Sequence, residues 1–107
     1  MTSVDIQTIN GTTIVSVAGH AGYNPGNDIV CASISTITLS LLQTLKYYEE
    51  QGICRVLNDE TNEDIGTALI SYMSRNKEIT DALLNMAEIG YMMLENAYPK
   101  NISVNIE

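Results

Sequence analysis

Asn10-Gly11, set between two β-branched apolar runs, is the feature that most constrains how this chain can fold. The runs cover residues 3–9 and 12–18. Asn and Gly both accept the positive φ angles of a type I′ turn, so the pattern predicts a β-hairpin. The second strand of this hairpin delivers Gly19 and His20 to the start of a loop.

Two stripes of apolar residues predict two long amphipathic helices. The first helix follows Asp28, a good N-cap residue, and runs to about Glu50, before Gly52. The second follows the N-cap residue Asn76 and is stopped by Pro99. The apolar residues recur at spacings of three and four: Val30, Ile34, Ile37, Leu41, Leu45 and Tyr48, then Ile79, Leu83, Met86, Gly90, Met93 and Ala97. We expect both stripes to be buried, with the methionines serving core or dimer packing.

The remaining segments predict three further strands. Residues 53–58 form an apolar run, and residues 58–62 are read as a polar turn. Residues 64–72 should return as a strand, although residues 68–70 also fit a helix. Residues 102–106 alternate apolar and polar side chains, as in a half-buried strand. The order β-β-α-β-β-α-β predicts an α+β fold, with two long helices packed on a mixed or antiparallel sheet.

Length and charge limit the classes of protein to which the chain can belong. Its 107 residues fit one domain, covering residues 1–107. A formal net charge of −8 argues against nucleic-acid and anionic-membrane partners; it suits a cationic partner or serves solubility. No run approaches the roughly 18 apolar residues of a membrane span, and no signal peptide is evident. We therefore expect a cytoplasmic protein with no membrane or nucleic-acid partner.

The loop between His20 and Cys31 carries the residues that suggest chemistry. His20 is the single histidine of the chain, and Cys31 is one of two cysteines. With Asp28 as N-cap, Cys31 falls in the first helical turn, where unpaired amides and the helix dipole favour the thiolate and can stabilise an oxyanion. His20 can take the thiol proton and later protonate a leaving amine. Ser35, one turn further along the same face, can hydrogen-bond this site.

Structural interpretations of the same residues stand beside the catalytic one. A cysteine near a helix start is commonly a small buried hydrophobic residue, and we interpret Cys54, in an apolar strand, as structural. We expect neither a disulfide between the two cysteines nor a metal site, because the compartment is reducing and the spacing matches no zinc pattern. Cys31 therefore fits a nucleophile, a redox sensor or a core residue of a non-catalytic binding module.

Residues 19–35 carry a resemblance to a known family. The run Gly-His-Ala-Gly-Tyr at 19–23, followed by Gly-Asn-Asp-Ile-Val-Cys-Ala at 26–32 and by Ser35, closely resembles the signature of the ribosomal-processing cysteine proteases of the Prp family. This match covers 17 of the 107 residues. Elsewhere the layout is similar: an opening hairpin, a nucleophile helix, a middle hairpin, a second helix and a final strand.

The resemblance implies a cysteine endopeptidase that removes a short N-terminal extension from a large-subunit ribosomal protein during ribosome assembly. It implies that Cys31 is the nucleophile and His20 its base, with Gly19, Asp28 and Ser35 supporting the site and no clear third catalytic member. No cofactor is implied, and the acidic chain fits a basic ribosomal substrate. The alternative is a non-catalytic ribosome-associated or partner-binding module with the same fold.

The resemblance also implies a homodimer with a mobile loop over the active site. Gly22, Tyr23 and Gly26 fall in this loop and are expected to govern substrate access. Pro25 departs from the expected mobility because it stiffens the same loop. The resemblance further implies substrates with aromatic residues just before the cut, which would need an apolar groove. The sequence does not locate this groove.

Overall fold

The computed structural model describes residues 1–62 and 66–107. Seven elements follow one another along the chain: β1 Thr2–Ile9, β2 Thr12–Ala18, α1 Ile29–Glu49, β3 Cys54–Asn62, β4 Thr67–Ser74, α2 Lys77–Ala97 and β5 Ile102–Ile106. This order confirms the predicted α+β fold.

The five strands form one mixed sheet in the order β3-β4-β2-β1-β5. All neighbours are antiparallel except β1 and β5, which are parallel. The opening hairpin forms as predicted: Ile9 pairs with Thr12, and Asn10 and Gly11 take φ angles of 51° and 80°. Both φ angles are positive. Few pairs of residues other than Asn-Gly accept a positive φ at two consecutive positions, so this dipeptide specifies the turn.

The core lies between one face of the sheet and the two helices. Val4, Val15 and Ile70 point to this face and are fully buried. Their strand neighbours point to the opposite face, where Ser3 and Asp5 are exposed. This alternation gives each strand one buried side, so both helices are held on the same side of the sheet.

Helix α1 begins and ends as predicted, with Asp28 as its N-cap. The predicted stripe is buried or half-buried along its whole length. The expectation that no run approaches a membrane span is wrong for α1: it is the one helix of the described residues that is long and apolar enough, with a mean hydropathy of 1.4. A third of that stretch is buried in the fold, and core helices of soluble proteins meet the same criteria.

The middle hairpin differs from the prediction. Residues 58–62, read as a polar turn, instead continue β3 to Asn62. The strand persists because its backbone pairs with β4, and because Asp59 forms an ion pair with Lys46 of α1 at 2.8 Å. Residues 67–74 form β4 rather than helix, whereas positions 64 and 65 of the predicted strand lie outside the described residues.

The buried line of α2 is displaced by one residue from the predicted stripe. Met86 and Met93 are 69% and 67% exposed, whereas Ala87 and Tyr91 are buried. Helix α2 carries two adjacent lines of apolar and small residues. The fold buries the line that contains Tyr91, because the Tyr91 hydroxyl has a hydrogen-bond partner in the core: it lies 2.6 Å from Thr38 Oγ1. The methionine line is therefore on the surface.

Candidate active site

The candidate nucleophile, Cys31, is half-buried in the first turn of α1. Asp28 creates this turn: its Oδ1 accepts from the amides of Val30 and Cys31 at 3.0 and 2.9 Å. Its Oδ2 accepts from the amide of Tyr23 at 2.9 Å, which ties the preceding loop to the helix. One carboxylate therefore fixes both the helix start and the loop.

The amide bonds alter the protonation of Asp28. Desolvation would raise its pKa, but hydrogen bonds from the amides of Cys31, Tyr23 and Asn24, and from the Cys31 side chain, leave the pKa below its ordinary value. The carboxylate is thus charged at neutral pH. Because Val30 and Cys31 donate to it, these two amides are not free to bind an oxyanion, contrary to the expectation from the sequence.

A different amide contacts the sulfur. The backbone N–H of Ala21 donates to Cys31 Sγ at 3.1 Å. Ala21 follows His20 directly, and its side chain is only 2% exposed. The buried methyl group therefore anchors the loop at the position where its backbone reaches the thiol.

His20 lies two positions after the end of β2 with an exposed side chain, and it lines the same pocket as Cys31. Gly66, directly before β4, also lines this pocket. A Cβ atom at Gly66 would lie 3.2 Å from His20 Cε1 and 2.7 Å from the carbonyl oxygen of Gly19. The absence of a side chain at Gly66 therefore makes room for the imidazole.

Of the predicted supporting residues, Gly19 and Ser35 line this pocket, and Asp28 acts through the nucleophile's turn. Gly19 takes a φ of 92°, and a Cβ there would lie 2.7 Å from the carbonyl oxygen of Met1. Its own carbonyl oxygen accepts from Thr2 Oγ1 at 3.1 Å. Only glycine satisfies both the angle and the close approach.

The loop residues predicted to govern access lie outside the pocket. Gly22 and Gly26 are exposed and have φ angles of 69° and 89°. The Tyr23 ring packs edge-to-face against Tyr98, with 5.2 Å between ring centroids. Tyr98 is the C-cap of α2, so the loop rests on the distant end of the second helix.

The pocket beside Cys31 is largely apolar. Val17, Ile34, Leu39 and Ala68 form its walls, with Thr38 among them. No three histidine, cysteine, aspartate or glutamate side chains in residues 1–62 and 66–107 are grouped to hold a metal ion.

Sequence reasoning missed Gly66, Ala21, Tyr98 and Asn101. Asn101 donates from Nδ2 to the carbonyl oxygen of Ala21 at 3.0 Å, although 80 positions separate the two residues. Such contacts depend on how elements that are distant in the sequence pack against each other, and no local residue spacing predicts them. The local signals at position 66 were the glycine itself and its nearness to the predicted turn at residues 58–62; its positive φ is seen only in the structure.

A thiol in the first turn of a helix and a histidine on the same pocket are the side chains that a cysteine-dependent enzyme requires. The family model of the cysteine protease Prp matches residues 1–103, and the chain belongs to this family. Among curated protein sequences, no significant match is found.

Solved structures share the fold over the whole chain. The S. aureus ribosomal processing protease Prp, in complex with a covalently linked product peptide, has a TM-score of 0.82 at 24% identity, with both chains covered completely. The same protease with a substrate peptide gives 0.72 at 21% identity and full coverage of both chains. Protein SMU.848 from Streptococcus mutans gives 0.74 at 24% identity, covering 99% of this chain and 93% of its own. At these identities the likeness concerns the fold.

Proposed function

We propose that this protein is an endopeptidase that removes a short N-terminal extension from a large-subunit ribosomal protein during ribosome assembly. Cys31 is the nucleophile and His20 its general base and acid. The observation that carries the proposal is the convergence of Cys31 and His20 on one pocket, in a chain that belongs to a cysteine protease family. The S. aureus relative, described as a ribosomal processing protease, supports the class of substrate.

The reaction follows from the residues around the sulfur. His20 takes the thiol proton as Sγ attacks the scissile carbonyl carbon, and the carbonyl oxygen becomes an oxyanion. The C–N bond then breaks as His20 returns the proton to the leaving amine, which leaves a thioester on Cys31. Water attacks the thioester while His20 accepts its proton. The C–S bond breaks, the N-terminal extension leaves as a carboxylic acid, and the thiol is restored.

The substrate class agrees with the charge and the pocket. A chain with a net charge of −8 attracts a basic polypeptide, such as a ribosomal protein, before any specific contact forms. The walls formed by Val17, Ile34, Leu39 and Ala68 suit apolar or aromatic side chains on the acyl side of the cut. Gly22, Tyr23 and Gly26 lie in the loop before α1, past which such a peptide would reach the pocket.

The proposal includes a cytoplasmic location and a homodimer. Assembling ribosomes and reduced thiols share the cytoplasm, which suits a thiolate nucleophile. The exposed apolar line of α2, containing Met86, Ile89 and Met93, supports a second copy as its cover.

Incubation with the N-terminally extended ribosomal protein of the host tests the proposal. The product is read by mass spectrometry beside the mature protein, which lacks the extension. The wild type should release one short N-terminal peptide and leave the mature protein intact. Cys31→Ala should release nothing, whereas Cys54→Ala should cleave normally because Cys54 is buried against the Leu45 carbonyl, outside the pocket.

Three outcomes contradict the proposal. Cleavage by a folded Cys31→Ala variant would exclude a thiol nucleophile at this position. No cleavage by the reduced wild type, with retained binding of the extended protein, would favour the non-catalytic binding module. Activity that depends on oxidation of Cys31 but not on His20 would favour a redox sensor.

A further inference from the structure

Asn101 holds the residue that contacts the nucleophile. Ala21 donates its N–H to Cys31 Sγ at 3.1 Å and accepts at its carbonyl oxygen from Asn101 Nδ2 at 3.0 Å. Its methyl group is buried in the core. Ala21 is therefore fixed on three sides, and the Asn101 amide is the side chain that orients its backbone.

Asn101 is itself firmly placed. Its N–H donates to the carbonyl oxygen of Tyr98 at 2.9 Å, and its carbonyl oxygen accepts from the amide of Thr2 at 2.9 Å. Thr2 in turn holds Gly19 through its hydroxyl group. The turn between α2 and β5 is thus bonded to the first strand, and Asn101 can act as a rigid support for the loop.

The placement of Ala21 by Asn101 matters chemically because of the hydrogen-bond donors around Cys31 Sγ. The charged Asp28 carboxylate lies beside Cys31 and accepts hydrogen bonds from both its backbone amide and its side chain. The amides of Val30 and Cys31 donate to that carboxylate rather than to the sulfur. The Ala21 N–H donates to the sulfur itself and can stabilise negative charge that develops there, and its direction depends on how Ala21 is held.

We propose that Asn101 is a positioning residue for the cysteine protease reaction: its side-chain amide holds Ala21 so that the Ala21 N–H donates to Cys31 Sγ. This inference rests on the proposed function for its catalytic consequence. Its structural consequence, the reactivity of the Cys31 thiol, is independent of any substrate.

Asn101→Ala and Asn101→Asp test the proposal. Both remove the N–H donor, and the aspartate keeps the size of the side chain. Asn105→Ala and Asn105→Asp are the matched controls, because Asn105 is the same residue type four positions further along the chain and its side chain is exposed on β5. Thermal unfolding confirms that each variant is folded.

Two readouts separate positioning from a general structural effect. The first is the rate at which iodoacetamide alkylates Cys31 without substrate, mapped by mass spectrometry, since iodoacetamide reacts with the thiolate. The second is the split between kcat and KM on a peptide that spans the cut. Both Asn101 variants should lose about tenfold in alkylation rate and in kcat, with KM within about twofold of the wild type. Both Asn105 variants should match the wild type in each readout.

Alkylation of Cys31 at the wild-type rate in a folded Asn101→Ala or Asn101→Asp variant would overturn the proposal. An equal loss in the Asn105 variants would also overturn it. If the wild type cleaves no peptide but the alkylation rate falls only in the Asn101 variants, the proposed function fails and the positioning role stands.

Discussion

Asp28 performs two tasks at the scale of single residues: it caps α1 and it holds the loop before the helix. Its two carboxylate oxygens accept from amides on both sides of that boundary, at Tyr23, Val30 and Cys31. An N-cap side chain contributes about 1 kcal/mol to helix stability. Here the same contacts also set the position of the nucleophile, so the cap is part of the site.

Gly66→Ala should disable the site through the backbone next to His20. The added Cβ would meet the carbonyl oxygen of Gly19 at 2.7 Å, and the end of β2 must shift to admit it. We expect kcat to fall by about tenfold or more, because displacements near 1 Å at a catalytic group are costly. Gly52→Ala is the control: φ is +74°, similar to the +67° of Gly66, but nothing lies within 4 Å.

Gly52→Ala has the backbone strain of a positive φ but no close contact between the added Cβ and another atom. Gly52→Ala should therefore lose about 1 kcal/mol of stability while cleaving the peptide at the wild-type rate. The two variants are compared by peptide turnover and urea unfolding. Equal turnover in both would contradict the role assigned to Gly66.

At the scale of elements, α1 and α2 are joined by a buried pair of hydroxyl groups. Thr38 Oγ1 donates to the carbonyl oxygen of Ile34 at 2.7 Å, so the Tyr91 O–H donates to Thr38 across the helix interface. Burial raises the pKa of Tyr91, and the hydrogen bond with Thr38 offsets this rise in part. The pair sets the rotation of α2 about its axis.

Substitutions at this pair should have unequal costs. Thr38→Val leaves the buried Tyr91 hydroxyl without the partner it has here, which costs about 1–3 kcal/mol. Tyr91→Phe removes the hydroxyl and leaves Thr38 bonded to Ile34, which costs about 1 kcal/mol. Urea unfolding with an unchanged m-value measures both. A larger cost for Tyr91→Phe would contradict the assigned donor direction.

The elements also show how far the sequence determines the fold and the site. The Asn10-Gly11 turn and the N-caps Asp28 and Asn76 are local signals, and each was predicted at its observed position. The continuation of β3 through residues 58–62 was not, because it depends on pairing with β4 and on Lys46 of α1. Long-range contacts decide what local patterns leave open.

The same division applies to the candidate site. Cys31 and His20 could be proposed from residue type and from the resemblance, since both lie in one continuous segment. The contact between Asn101 and Ala21 could not be predicted, because it joins the turn between α2 and β5 to the loop between β2 and α1. The buried line of α2 could not be chosen from its two apolar lines without knowing that Thr38 faces Tyr91.

At the scale of the whole molecule, both edge strands are secured by carboxylates from the helices. Glu49 of α1 accepts from the amide of Val56 on β3 at 2.6 Å, where the strand has a bulge. Glu95 of α2 accepts from the amide of Val104 on β5 at 2.7 Å. Each contact satisfies a backbone donor that an edge strand would otherwise expose, and each ties a helix to the border of the sheet.

Alkaline pH should destabilise the whole fold through Tyr72. This residue is 2% exposed, and burial raises its pKa to about 12, despite a hydrogen bond with Thr13. Between pH 10 and 12 the unfolded chain loses the phenol proton while the folded chain keeps it, so the free energy of unfolding falls as pH rises. Urea unfolding at several pH values should show this fall.

Tyr72→Phe should make that fall shallower, because one of the contributing groups is gone. The variant should also be about 1 kcal/mol less stable at neutral pH, because it lacks the hydrogen bond to Thr13. Tyr47→Phe is the control: its ring is 60% exposed, and the variant should keep the wild-type pH dependence. An equally steep fall in Tyr72→Phe and the wild type would contradict this account.

Detection of a thioester on Cys31 tests the central claim most directly. The wild type is mixed with a peptide that spans the cut, quenched in acid within the first turnover, digested and mapped by mass spectrometry. We predict that the peptide containing Cys31 gains the mass of the acyl fragment, and that His20→Ala suppresses this adduct without unfolding the protein. Cleavage of the peptide with no adduct at Cys31, or an undiminished rate in Cys31→Ala, would contradict the account.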